Sequence, residues 1–317
     1  MKKILIFKKD RIGDFLNISP ILYNLKHNFP EAHITIVCSS YNYSIAKHYT
    51  FINKFLIFKH SALFFLIKNY SSFFFNKYDL ILQLDSKNSS YLSAALIRAH
   101  KKASIKFIKY KNFFGINIIK KRPSFLISLF YNFFLISNEN YDHLNNKKNH
   151  YLSLYLQILK QLNIKIHSEK HYLPYIPTKN IYLNNYYNIH IDERWSFFKK
   201  PFLEIFEKKL ADLVINNTVV LTSNLGGNDF FHFLSFKYKN NNNIYFNKKA
   251  TINELINIIY YSHSVISSHT GLTVHIAAAF DKKIIDIVSP KIFNELDRWI
   301  PINSNYHRFN FENFFLK

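Results

Sequence analysis

Ile4-Leu5-Ile6-Phe7-Lys8-Lys9-Asp10-Arg11-Ile12-Gly13-Asp14 decides how the rest of the chain is read. Four consecutive apolar residues bounded by charge mark a short strand buried on both faces, as in a parallel sheet. Beyond Gly13-Asp14 the pattern changes. Ile18, Ile21, Leu22 and Leu25 recur at spacings of three and four, the period of an amphipathic helix. Pro30 disfavours helical geometry at Phe29 and closes that helix. Strand, tight turn and helix open a βαβ unit, and open α/β folds keep their chemistry at such junctions.

The same alternation extends outward. Strands are expected at 34–38, 55–58, 80–84 and 104–108, and a helix over 149–163 with Tyr151, Leu152, Tyr155, Leu159 and Leu162 recurring. Order is then lost in a stretch with Pro174, Pro177 and many Asn and Tyr residues. The pattern resumes with strands at 189–191, 219–222, 243–246, 264–268 and 284–288. Helices are expected at 202–213, 252–261 and 272–279. The fold class is therefore α/β in two domains: 1–165, a linker at 166–187, and 188–300. The aromatic-rich segment 301–317 is expected to pack back on the first domain. A second glycine turn, Ser268-His269-Thr270-Gly271, repeats the strand-to-helix junction near the other end, which suggests two domains facing each other across a cleft.

The 317 residues carry 42 Lys and Arg against 20 Asp and Glu, a formal net charge of +22. Such a surface attracts phosphates, anionic headgroups or nucleic acid. The excess is spread along the chain, and neither a zinc-finger spacing nor an RNP motif is present, so no specific nucleic-acid partner is expected. An enzyme facing a membrane surface or a polyanion fits better. The one cysteine, Cys38, lies in an expected strand, which excludes an intrachain disulfide and suits a reducing, cytoplasmic compartment. The apolar run after Lys2-Lys3 ends too soon for a signal peptide. No stretch reaches the roughly 20 apolar residues of a membrane span. The nearest, 123–136, reads as a buried core helix, with a helix lying flat on an anionic membrane behind Lys120-Lys121-Arg122 as the alternative. The stretch 57–75 poses the same question.

Gly13 permits a tight turn or a close backbone approach, and Asp14 at the helix entrance can accept a proton from a positioned hydroxyl. Asp10 ranks behind it, because Lys8, Lys9 and Arg11 offer it ion-pair partners. At the second junction, Thr270, Gly271 and the N–H groups after them form a ready phosphate site, with His269 as a further donor and His275 on the same helix. Arg194, in Asp192-Glu193-Arg194-Trp195, brings a planar donor fork to a strand's carboxyl end. Gly226-Gly227 is either a nucleotide-binding loop or a turn. Neither G-x-G-x-x-G nor a P-loop motif occurs, against dinucleotide dehydrogenases and P-loop enzymes. Neither H-E-x-x-H nor a comparable spacing occurs, and no metal or other cofactor is expected. One carboxylate and two phosphate-facing elements suit transfer of a group from an activated phosphate ester to a hydroxyl, the positive groups stabilising the departing diphosphate.

The opening Ile4-Leu5-Ile6, Asp10-Arg11-Ile12-Gly13-Asp14, Pro20, Leu25, Phe29-Pro30 and Ile34-Thr35-Ile36-Val37 resembles the N-terminal signature of the heptosyltransferase-like glycosyltransferases of family 9. Ser268-His269-Thr270-Gly271 with His275-Ile276-Ala277-Ala278-Ala279 resembles their nucleotide-sugar motif, and Ile191 to Trp195 their basic-residue-then-Trp donor segment. The resemblance implies a GT-B fold of two Rossmann-like domains: an N-terminal acceptor domain and a C-terminal nucleotide-sugar domain. It further implies an inverting, metal-independent sugar transfer from a nucleotide-diphospho donor, with heptose or a related sugar going to a lipopolysaccharide-core or other surface-glycan hydroxyl. By the same resemblance Asp14 is the general base. Arg194, His269, Thr270, Gly271, His275, Gly226 and Gly227 serve the donor, and Gly13 and Arg11 are structural or on the acceptor side. A lipid-borne acceptor would place the protein at the cytoplasmic face of the inner membrane. His269 stands where the family has Asp, and Arg194 where Lys is frequent. The rival classes are a non-catalytic glycan- or anionic-surface-binding protein and, further off, a basic nucleic-acid-binding protein.

Overall fold

The computed structural model divides into two units, Met1–Glu169 and Lys170–Lys317. The structure describes residues 1–59, 61–113, 116–138, 150–182, 185–223, 226–268, 271–302 and 305–311.

The first unit opens with β1 (Lys3–Phe7), α1 (Ile12–Leu16), α2 (Ser19–Asn28), β2 (His33–Cys38), α3 (Ser40–Ala46) and β3 (Lys54–Ile57). Then follow α4 (Ala62–Lys68), α5 (Tyr70–Phe74), β4 (Tyr78–Gln83), α6 (Asn88–Leu96), β5 (Ala99–Phe113) and β6 (Ile116–Arg122). It closes with α7 (Phe125–Ser128), β7 (Phe133–Asn138) and α8 (Tyr151–Gln161). The sheet order is β3-β2-β1-β4-β5-β6, with β7 also on β5. All pairings are parallel except β5 with β6. Ile4, Leu5, Ile6 and Phe7 are fully buried, as a central strand covered on both faces requires.

The second unit comprises β8 (Tyr187–His190), α9 (Lys200–Asn216), β9 (Val219–Thr222), α10 (Asp229–Lys237), β10 (Ile244–Asn247) and α11 (Ile252–Tyr261). It ends with β11 (Ser264–Ser267), α12 (Gly271–Ala279), β12 (Lys283–Val288) and β13 (Tyr306–Asn310). Its sheet, β10-β9-β8-β11-β12-β13, is parallel throughout. One face packs on α9 and α10 through Ile189, Leu221, Ile266, Phe206, Leu210 and Phe231, with Trp195 buried among them.

One expectation is corrected here. The stretch 123–136 is not a helix. Only Phe125–Ser128 makes a single turn, and Phe133–Asn138 is a strand on β5, where a Phe-Phe-Leu-Ile run finds a sheet edge to pair with. The described end of the C-terminal segment forms the last strand of the second sheet. Tyr306–Asn310 pairs in parallel with β12, the Tyr306 hydroxyl donating to Asp286 Oδ2 at 2.6 Å and Arg308 reaching Asp297 and the Phe293 carbonyl. Alternating polar side chains that find partners at every second position suit a strand, and a helix would scatter them. Residues 312–317 lie outside the described residues.

The stretch expected as a linker is tied down from both sides. Asn24 and Asn28 on α2 bond the backbone of Lys165, His167 and Ser168. Tyr175 and Thr178 bond Asn257 on α11, within the second unit.

Candidate functional site

In both sheets the strand order reverses beside the first strand, and such reversal points are where open α/β sheets bind ligands, outside the carboxyl ends. The first unit reverses between β1 and β4. Lys8 follows β1 directly and is 2% exposed, yet its Nζ donates to Asp10 Oδ2 at 2.9 Å, Tyr155 Oη at 2.9 Å and the Leu84 carbonyl at 3.1 Å. Burial alone would lower the Lys8 pKa. Asp10, Tyr155 and Asp14 outweigh it and hold the ammonium well above its ordinary range. Burial pushes Asp10 up to about 7, helped by Asp14 and Asp85 against the pull of Lys8. Among the described residues Asp10 Oδ1 has no hydrogen-bond partner. Beyond β4, buried Asp85 accepts from the Lys87 and Lys9 backbone N–H groups and from Ser90 Oγ.

Asp14 lies in the first turn of α1, half-buried, after buried Gly13 and exposed Arg11. It is within electrostatic reach of Lys8, Asp10 and Tyr155. The structure therefore gathers Asp14, Asp10, Lys8 and Tyr155 at one edge. Sequence reading named Asp14 and the Lys8 partner of Asp10. It missed Tyr155, which comes from α8, and the buried role of Lys8, for which the signal was a cation placed directly after a wholly apolar strand.

The second unit reverses between β8 and β11. Asp192 caps the 3-10 turn Glu193–Phe197, its Oδ1 accepting from the Arg194 N–H at 3.0 Å, which leaves the Arg194 side chain half-buried. Trp195 is wholly buried, and its Nε1 donates to the His190 carbonyl at 2.9 Å, so it anchors the turn to the core. Asn228 ties the neighbouring loop to this turn: its Nδ2 donates to the Asp192 carbonyl, and its Oδ1 caps α10 by accepting from Phe231 N–H. The turn that carries Arg194 and the loop that carries Gly226-Gly227 are thus tied to each other through Asn228. Both glycines have positive φ, +96° and +81°. A Cβ on Gly227 would sit 2.8 Å from the Phe231 ring, so packing against α10 demands this glycine.

His269 and Thr270 lie outside the described residues. Gly271 begins α12, while His275 is buried on that helix and stacks on His171, ring centroids 4.9 Å apart and nearly parallel. Sequence reading also missed a polar row. Thr222, His190, Ser267, Asp286 and Arg308 stand opposite one another on five neighbouring strands and so share one face at the carboxyl edge. His190 Nδ1 is 3.0 Å from Thr222 Oγ1, and burial lowers its pKa to about 4. Among the described residues no group of three His, Cys, Asp or Glu side chains is placed to hold a metal ion.

Two Rossmann-like units in one chain, each with its polar groups at the reversal point, define the GT-B class of fold. Among solved structures, the chain is similar to the E. coli heptosyltransferase WaaC with ADP (TM-score 0.67, 14% identity, covering 96% of this chain and 92% of that one). It is similar also to a family 9 glycosyl transferase from Veillonella parvula (TM-score 0.68, 14% identity, 97% and 85% covered). The UDP-GlcNAc 2-epimerase from Methanocaldococcus jannaschii follows at a TM-score of 0.52, with 13% identity and 98% and 90% covered. No protein-family model matches the chain, and no curated protein matches it significantly in sequence.

Proposed function

We propose that the chain is an inverting glycosyltransferase that moves a heptose or related sugar from a nucleotide-diphospho donor to a hydroxyl of a lipopolysaccharide-core or similar surface-glycan acceptor. The observation that carries this reading is the half-buried Asp14, held just past β1 beside the buried Lys8 and its partner Asp10. The likeness of fold to family 9 enzymes supports it. Each unit takes one half of the reaction. The first receives the acceptor, and Asp14 takes the hydroxyl proton as that oxygen attacks the anomeric carbon. The second holds the donor, and the bond from the anomeric carbon to the diphosphate oxygen breaks as the new glycosidic bond forms. Arg194, the Gly226-Gly227 loop, Thr270 and Gly271 take up the charge of the departing nucleoside diphosphate, which removes the need for a metal. His269 and His275 serve the same donor side, His275 by holding α12 in place.

Incubation with a panel of nucleotide sugars and a lipopolysaccharide-core acceptor tests the proposal by release of nucleoside diphosphate. Asp14→Asn is expected to bind donor normally and to lose transfer by about 10²–10⁴-fold. Arg194→Ala is expected to weaken donor binding in calorimetry. Undiminished turnover in Asp14→Asn would remove that residue from its role. Binding of glycan with no diphosphate release from any donor would favour the non-catalytic reading.

A further inference from the structure

We infer that the helical layer built by α4, α5, α6 and α7 is the face by which this chain docks on an anionic lipid bilayer. The inference gives a physical place to the lipid-borne acceptor of the proposed function and rests on that reading for its purpose. Its observations stand by themselves.

Those helices violate the usual economy of a surface helix, apolar toward the core and polar outward. On α4, Ala62 and Phe65 point into the unit and are buried, yet Leu63 and Ile67 on the opposite side are 68% and 65% exposed. On α6, Tyr91, Ala94 and Ala95 fill the core, while Leu96 faces outward. On α7, Phe125 and Leu126 are more than 70% exposed. Because α4 touches both α5 and α6, and α6 touches α7, these side chains belong to one continuous layer. Patches of this kind mark an interaction surface.

Charge selects the occupant. From Phe51 to Asn138 the only acidic residues are Asp79 and Asp85. Asp79 accepts from the backbone N–H groups of Lys2 and Lys3, and Asp85 is buried in the bonds described above. Lys59, Lys68, Lys87, Arg98 and Lys121, by contrast, are exposed. An apolar face edged with cations suits the interface of an anionic membrane, where apolar side chains enter the acyl boundary and lysines reach the headgroups. A symmetric contact with a second copy would set these cations against their own kind. Among the described residues no helix is long and apolar enough to cross a membrane, so the contact is docking and not a span.

Flotation of the full chain with vesicles of phosphatidylcholine, alone or mixed with phosphatidylglycerol, tests the inference. The parent chain should float with the mixed vesicles and not with phosphatidylcholine alone. Ile67→Glu and Leu126→Glu, both at exposed positions, should each reduce partitioning about tenfold or more. Ile176→Glu, an exposed apolar site in the second unit, should float like the parent. Thermal unfolding of each variant verifies that it folds. Parent chain left behind by anionic vesicles overturns the inference, as do Ile67→Glu and Leu126→Glu floating unchanged. So does a parent dimer that Ile67→Glu makes monomeric while lipid binding persists. Sugar transfer to a water-soluble acceptor is measured separately. Transfer without flotation sinks the docking face alone, and flotation without transfer sinks the enzyme reading alone.

Discussion

At Lys8 the fold places an ammonium where β1 ends and surrounds it with Asp10, Tyr155 and the Leu84 carbonyl. An ion pair of this kind contributes little net stability, but removing one partner leaves the other charged without compensation or forces it to neutralise, at a cost of up to about 3–5 kcal/mol. Lys8→Met should therefore destabilise the chain by that amount in denaturant unfolding, and adding Asp10→Leu should recover most of it. A Lys8→Met chain as stable as the parent would mean that Asp10 does not depend on Lys8. Half of this arrangement is legible in the sequence, because a Lys and an Asp two residues apart beyond a strand are natural partners. The other half is not: Tyr155 lies 147 residues further on, and no spacing rule reaches that far.

Among the elements, those whose pattern is local were read closely. The 252–261 helix matches α11 in full, because Thr251 and Glu254 close a reciprocal cap ahead of a strongly periodic run. Strand β9 also matches, as an apolar run bounded by polar residues. Elements set by pairing were read poorly. The Phe-Phe-Leu-Ile run of β7 is compatible with helix or strand until the edge of β5 decides it. Helix α10 escaped notice behind Gly226-Gly227, whose two roles the sequence left open. The structure explains why glycine is needed there: both positions are in the left-handed region, and only Gly227 also lies against Phe231. Among the described residues Gly226→Ala meets only Lys249 Cε at 3.9 Å, so its cost is the backbone strain, of order 1 kcal/mol. Gly227→Ala adds a clash with the first turn of α10 and should cost about 2–4 kcal/mol. Thermal unfolding of the two variants checks the order, and equal losses would show that Phe231 yields without cost.

For the molecule as a whole, the repeated strand-helix alternation made two α/β units legible, while the polar row of the second sheet arises only from register. That difference has a consequence in pH. Asp10 takes its proton at about 7 when folded against an ordinary 3.8, so the folded first unit binds the extra proton between those values and loses stability as pH rises through them. His190 behaves oppositely. Its folded pKa of about 4 lies below the ordinary 6.5, so the second unit holds its stability above that value and loses it as pH falls toward 4. Each group contributes at most about 1.4 kcal/mol per pH unit within its window. Lys102, lowered by burial to about 8, titrates above that window and adds no slope there. Calorimetry from about pH 7 down to about pH 5 should therefore show two transitions moving in opposite directions, the first unit gaining and the second losing. Asp10→Asn should flatten the one and His190→Gln the other. Two transitions that shift together, and that neither substitution alters, would mean that other groups govern the acid response of both units.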